Sequence, residues 1–168
     1  MAFGYTTEEY RSAANQRLAD AHELMESPTR DAKRSDVGYR HYRGAMYLAG
    51  YAIECLLKAY LIDHNSVPTP DKPNLSGAMD RINILRQKDG LLPAKDITRS
   101  ATGHDISYLL SLTNLDEIAG YDKKLWGSVG TWDTSWRYES SMIRAVAAKE
   151  FMADVDAVVK WLKPKIGG

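Results

Sequence analysis

The chain has 168 residues, with 22 basic and 22 acidic side chains and a formal net charge of zero. Balanced charge leaves no global field to draw in nucleic acid or an anionic membrane, so binding of that kind has to come from a local patch. With 44% hydrophobic and 26% charged residues, a chain of this length is expected to form one domain over 1–168, burying roughly 70% of the surface that its unfolded form exposes; global disorder is excluded.

Cys55 is the single cysteine. It cannot form an internal disulfide, fits a reducing compartment and reads as a small core hydrophobe. The first ten residues are neither basic nor followed by an apolar signal core. The longest apolar run falls short of the ~20 residues of a membrane span. These features predict a cytoplasmic protein without a membrane partner.

Thr6 and Glu9 have capping-box spacing, and Tyr10, Ala14, Leu18, Ala21 and Leu24 or Met25 follow at helical spacing. They predict a first helix over about 7–26, ended by Ser27-Pro28. Arg30, Lys33, Arg34, Arg40 and Arg43 make the densest basic run, read as a solvated helix start and loop. Ser35-Asp36 is an N-cap for a second helix reaching about Asn65, where Pro68, Pro70 and Pro73 forbid continuation. At 1.5 Å per residue this rod is ~45 Å long and needs neighbours along most of it.

Residues 66–74 read as an extended linker, and 78–88 as a short helix with Met79, Ile82 and Leu85 on one face. His104-Asp105 opens a third bundle helix with Ile106, Leu109, Leu110 and Leu112 inward. Residues 114–137, rich in Gly and Trp, read as a long connection packed across a bundle end. A last helix spans about 139–163, with Met142, Ile143, Val146, Phe151, Val155, Val158, Val159 and Leu162 as its inward stripe. The fold class is therefore all-α: an up-and-down bundle of four main helices, with a Trp/Gly-rich crossover loop before the last.

The second helix has two faces. On a wheel of about 100° per residue, Tyr42, Met46, Ala49, Ile53, Leu56, Leu57 and Tyr60 share one side. Arg40, Arg43, Tyr47, Tyr51, Glu54 and Lys58 fall on the other, spaced 3, 4, 4, 3 and 4, with Gly44 and Gly50 beside them. A glycine inside a helix costs about 1 kcal/mol and needs a return, such as a close neighbour. Two readings follow. Glu54 and Lys58 form an ordinary surface i,i+4 pair, or the whole stripe faces something: a second subunit or the Trp-rich segment.

The segments AGYAIECLLKAYL (49–61) and GHDISYLL (103–110), with Trp132 or Trp136 ahead of Arg137-Tyr138 and a last amphipathic helix, resemble the HEPN superfamily, the higher eukaryote and prokaryote nucleotide-binding domain. The pieces cover most of residues 35–162. The resemblance implies a small stand-alone prokaryotic member: a helical bundle that forms a homodimer, needs no metal or cofactor, and serves nucleotide or nucleic-acid systems in bacterial defence, toxin–antitoxin pairs or regulation. A nucleotidyltransferase is the kind of partner protein implied, and a nucleotide or RNA the kind of ligand. Some members are metal-independent RNases that use an arginine followed by a histidine after four to six residues, typically at the start of the last helix.

No histidine follows His104 here, so that helix cannot carry the motif. Arg99 with His104 has the spacing, and Arg34 with His41 has it as well. In RNA cleavage a histidine can act as base for the 2′-hydroxyl and an arginine can stabilise phosphorane charge; the alternative is that His104 simply caps or stacks at its helix start. Arg137 and Tyr138 join the polar stripe as interface candidates. Trp126, Trp132 and Trp136 are candidate stacking rings for a base, or plugs for a bundle end. No Cys/His cluster or HExxH is present, so no metal is expected. Three functions stand: a non-catalytic dimeric module, a metal-independent RNase toxin, and an oligomeric scaffold.

Overall fold

A computed structural model describes residues 5–27, 35–66, 73–98, 101–138 and 143–167, without the side chains of 35–40, 101 and 102. Six α-helices pack together: α1 (Thr7–Glu26), α2 (Ser35–Asn65), α3 (Leu75–Lys88), α4 (Ile106–Ser111), α5 (Lys123–Val129) and α6 (Ala145–Leu162). Among the described residues there is no strand.

The start of α1 is set as its sequence predicts. Thr6 accepts from the Glu9 N–H, and the Glu9 carboxylate accepts from the Thr6 N–H at 2.7 Å, so two orphan donors are satisfied reciprocally. Asn74 caps α3 by accepting from Gly77 N–H at 3.0 Å. The buried face of α3 is Leu75, Ala78, Met79 and Ile82, while Leu85, expected inside, is exposed. The face is phased one turn earlier because the Asn74 cap starts the helix at Leu75.

The helix α2 is the hub, with α1, α3, α4, α6 and the turn at Thr134–Arg137 all packed on it. Every residue from 52 to 62 is buried. By length and composition His41–Asn65 could cross a membrane, but 83% of its apolar window is buried inside the fold, as befits a core rod. The helix α1 lies antiparallel to α2: Tyr10 sits over Lys58 and Leu24 against Gly44.

The expected third main helix is only the six residues of α4, since Leu112 already closes it. The expected loop at 114–137 is instead folded into α5 and two 3-10 turns, Leu115–Glu117 and Thr134–Arg137. Asp122 caps α5 and Asp133 caps the Thr134–Arg137 turn through their carboxylates. The helix α6 begins at Ala145, later than expected, with Arg144 as its cap residue. Consequently Val146 is exposed, while Phe151, Met152, Val155, Val158, Val159 and Leu162 are buried. The positions Glu139 and Met142 lie outside the described residues.

A candidate site at the buried polar stripe

The polar face of α2 is covered by the chain itself. Trp132 lies across Gly50, and its Nε1–H donates to the Tyr47 carbonyl at 3.0 Å. A Cβ on Gly50 would come within 2.0 Å of the Trp132 ring, so the glycine is what lets the indole reach the backbone. The Arg43 guanidinium stands 5.2 Å from the Trp136 ring centroid, at cation–π distance. Tyr10 from α1 covers Lys58, whose Nζ is 5.9 Å from that ring centroid.

Glu54 and Lys58 are the buried charged residues among those described, at 1% and 7% exposure. Lys58 Nζ donates to Glu54 Oε1 at 2.7 Å. The other oxygen, Oε2, lies 3.0 Å from His104 Nδ1. The pair is therefore not an exposed i,i+4 contact; it is the inner part of a three-residue chain whose outer member is half-exposed, at 49% for the His104 side chain. A carboxylate this deep needs both partners, because an unpaired buried charge is strongly disfavoured.

The segment carrying His104 is built for that placement. Gly103 packs so closely on Ile97 that a Cβ would come within 2.2 Å of the Ile97 carbonyl oxygen. Asp105 caps α4, accepting from Tyr108 N–H at 2.9 Å, and Ile106 is buried. The Gly-His-Asp-Ile sequence thus reads as close approach, polar contact, cap and anchor. Helix capping belongs to Asp105 rather than to His104.

His104 lies at an open cleft of about 590 Å³ between the 103–107 and 130–134 segments. Lys95, Ser107, Thr131, Asp133 and Thr134 line it with His104. The Tyr108 hydroxyl accepts from Lys95 N–H at 2.6 Å, fixing one wall. Asp133 accepts from Ser135 N–H at 2.7 Å, and that bond holds its carboxyl below the usual range. With Nδ1 taken by Glu54, Nε2 is the ring nitrogen available to a ligand. The cleft thus offers one oriented imidazole, one lysine, several hydroxyls and the two carboxylates of Asp105 and Asp133.

The remaining candidates fall elsewhere. Arg34, Arg99 and the side chain of Arg40 lie outside the described residues. His41 is half-buried on α2 and does not line the cleft. Arg137 and Tyr138 are exposed and stack on each other at 4.5 Å. Trp126 and Trp132 are buried; Trp126 lies away from the cleft, whereas Trp132 forms part of its wall. Trp126 packs with Tyr121 and Trp161, and Trp136 with Phe151; these rings plug the bundle. His22 meets Asp156 on α6 at 3.0 Å. His64 stacks on Tyr60 at 3.8 Å and bonds its carbonyl. No group of three metal-ligating side chains occurs among the described residues.

Sequence reasoning paired Glu54 with Lys58 and singled out His104, but did not join His104 to that pair. It did not find Lys95, Ser107, Thr131, Asp133 or Thr134, which carry no motif. No family model matches the chain, and no curated protein or solved structure matches it.

Proposed function

We propose that the chain is a HEPN-like helical module that takes a nucleotide or a short RNA segment in the cleft at His104, acting as a homodimer within a nucleotide- or nucleic-acid-associated system such as a toxin–antitoxin pair. The observation that supports this reading is convergence. Two of the sequence pieces behind the resemblance, 49–61 and 103–110, meet at the Glu54–His104 contact. The third, Trp132 with Trp136-Arg137-Tyr138, covers the same helix.

A cleft of about 590 Å³ is within the common range for small-ligand sites. Lys95 and His104 would meet phosphate, and the Ser107, Thr131 and Thr134 hydroxyls would meet the sugar. The test is calorimetric titration of the full chain with nucleoside mono- and triphosphates and with oligoribonucleotides. Binding that falls at least tenfold in His104→Ala supports the site; equal binding by wild type and variant, or none by either, sinks it. Light scattering that shows a monomer at micromolar concentration removes the dimer.

A second reading is favoured by one specific feature: a half-exposed histidine whose Nδ1 is held by a buried carboxylate is set up for proton transfer. His104 Nε2 would take the proton of an RNA 2′-hydroxyl as that oxygen bonds to the adjacent phosphorus, the P–O5′ bond breaks to leave a 2′,3′-cyclic phosphate, and the 5′-oxygen departs as a hydroxyl with a proton from water. Arg99 is the sequence candidate for stabilising the phosphorane. Purified protein incubated with single-stranded and structured RNA distinguishes the two readings. Cleavage that survives both His104→Ala and His41→Ala would refute the chemistry.

A further inference from the structure

We infer that Lys58 is a positioning residue for His104: its buried ammonium keeps Glu54 ionised and so holds the imidazole in the tautomer with hydrogen on Nδ1 and a bare Nε2 at the cleft. The inference rests on the proposed role of His104 as the group that meets the ligand.

A buried lysine–glutamate pair is poor evidence of a stability device, because apolar residues of similar volume often serve as well or better. Lys58 is also absent from the cleft lining. It lies inward, under Tyr10, and its Nζ reaches Glu54 at 2.7 Å. Whatever it does for a ligand it does through that carboxylate. Glu54 divides its two oxygens, Oε1 to Lys58 and Oε2 to His104.

An ionised carboxylate can only accept hydrogen bonds. The ring nitrogen facing it must therefore carry the hydrogen, and in a neutral imidazole the lone pair is then on Nε2. Removing the ammonium leaves Glu54 in a dry site beside Tyr10, Tyr51 and Cys55, which burial keeps protonated and uncharged; Arg17, the other cation acting on that cluster, is half-exposed and paired with Asp20. In that setting the neutral acid is favoured. The carboxyl takes one proton from solvent, replacing the positive charge lost with the lysine. A protonated carboxyl donates to Nδ1, so the ring hydrogen moves to Nε2. The cleft then meets a donor where the wild type presents an acceptor.

The test is long-range proton–nitrogen NMR on histidine-labelled full-length protein at pH 8.5, where free imidazoles are neutral. The His104 signal is assigned from its loss in His104→Ala. The expected wild-type pattern is hydrogen on Nδ1 and a bare Nε2. Lys58→Met reverses it, and Lys58→Arg keeps it, since the guanidinium restores the cation. A wild type with hydrogen on Nε2 overturns the inference without any variant, so it stays refutable even where Lys58→Met does not fold. An unchanged tautomer in folded Lys58→Met overturns it as well. Nucleotide or oligoribonucleotide added to the same samples separates the two claims. The expected tautomers with no ligand response anywhere count against the proposed function alone.

Discussion

His104 Nδ1 and Glu54 Oε2 lie 3.0 Å apart although fifty residues separate them in the chain. The contact joins a half-exposed ring to a carboxylate that is 1% exposed, and that asymmetry sets the expected order of mutational costs. Removing His104 leaves Glu54 with Lys58, so His104→Ala costs about 1 kcal/mol, the scale of one hydrogen bond. Removing Glu54 leaves the Lys58 ammonium buried without its counter-charge, and Glu54→Ala costs about 3–5 kcal/mol. Replacing both, as Glu54→Leu with Lys58→Met, restores most of the stability while losing the orientation of His104. Urea denaturation of the four proteins checks this. Equal costs for the two single alanine variants would show that the carboxylate is not buried as described.

The two glycines on the stripe of α2 separate in the same way. Gly44 has only a side-chain methyl of Leu24, at 3.5 Å from a built Cβ, whereas Gly50 faces the Trp132 ring at 2.0 Å. Gly44→Ala gains helix propensity and stabilises by up to about 1 kcal/mol. Gly50→Ala must displace a buried indole and break its bond to the Tyr47 carbonyl, costing about 3 kcal/mol or more. Thermal unfolding gives both signs, and tryptophan fluorescence reports the displaced ring only in Gly50→Ala.

Much of this was legible in the sequence because it depends on local rules. The α1 capping box, the end of α2 at Asn65 and the two-faced spacing of α2 are each set within a few residues, and the structure has them. The side covering the stripe was open between a second subunit and the Trp-rich segment, and Trp132 and Trp136 cover it. What was not legible is long-range. Nothing near His104 in sequence says that its partner is Glu54. The 114–137 segment lacks periodicity because short capped pieces, Asp122 before α5 and Asp133 before the next turn, bury single large rings rather than a stripe. The start of α6 slipped because Val146 matches the helical period yet faces solvent.

Asp133 links the acid response to the cleft wall. Its carboxyl is held low by the Ser135 N–H bond. A depressed value in the folded state means stability present above the unfolded value of 3.8 and lost as pH falls below it. Asp133→Ala is expected to cost about 1 kcal/mol at pH 7 through the lost cap. The same variant should show a smaller loss of stability between pH 4 and 3 than wild type. Denaturation midpoints at pH 7, 4 and 3 check both; an identical acid response would place the acid-labile carboxylate elsewhere.

The alkaline limb has the opposite sign and originates beneath the stripe. Burial, reinforced by the Glu54 carboxylate, pushes the Cys55 thiol from its ordinary 9.0 up to about 12. Burial likewise pushes the Tyr10 and Tyr51 hydroxyls upward. These acids hold their protons more tightly folded than unfolded, so their contribution is complete below the unfolded values and is lost as pH rises above them. For Cys55 the loss begins near pH 9, approaching roughly 1.4 kcal/mol per pH unit. Because the unfolded thiol is already half-ionised at pH 9, wild type should lose about 1 kcal/mol between pH 9 and 10, before the phenols add to it. Cys55→Ala starts about 1 kcal/mol less stable from the lost packing, but its stability should fall less steeply across that interval. Urea midpoints at pH 8, 9 and 10 provide the comparison. Iodoacetamide at pH 9 gives an independent reading, because the folded thiol should alkylate at least a hundredfold more slowly than the same thiol in urea. Rapid labelling of folded protein would place Cys55 at the surface and remove this account of the alkaline limb.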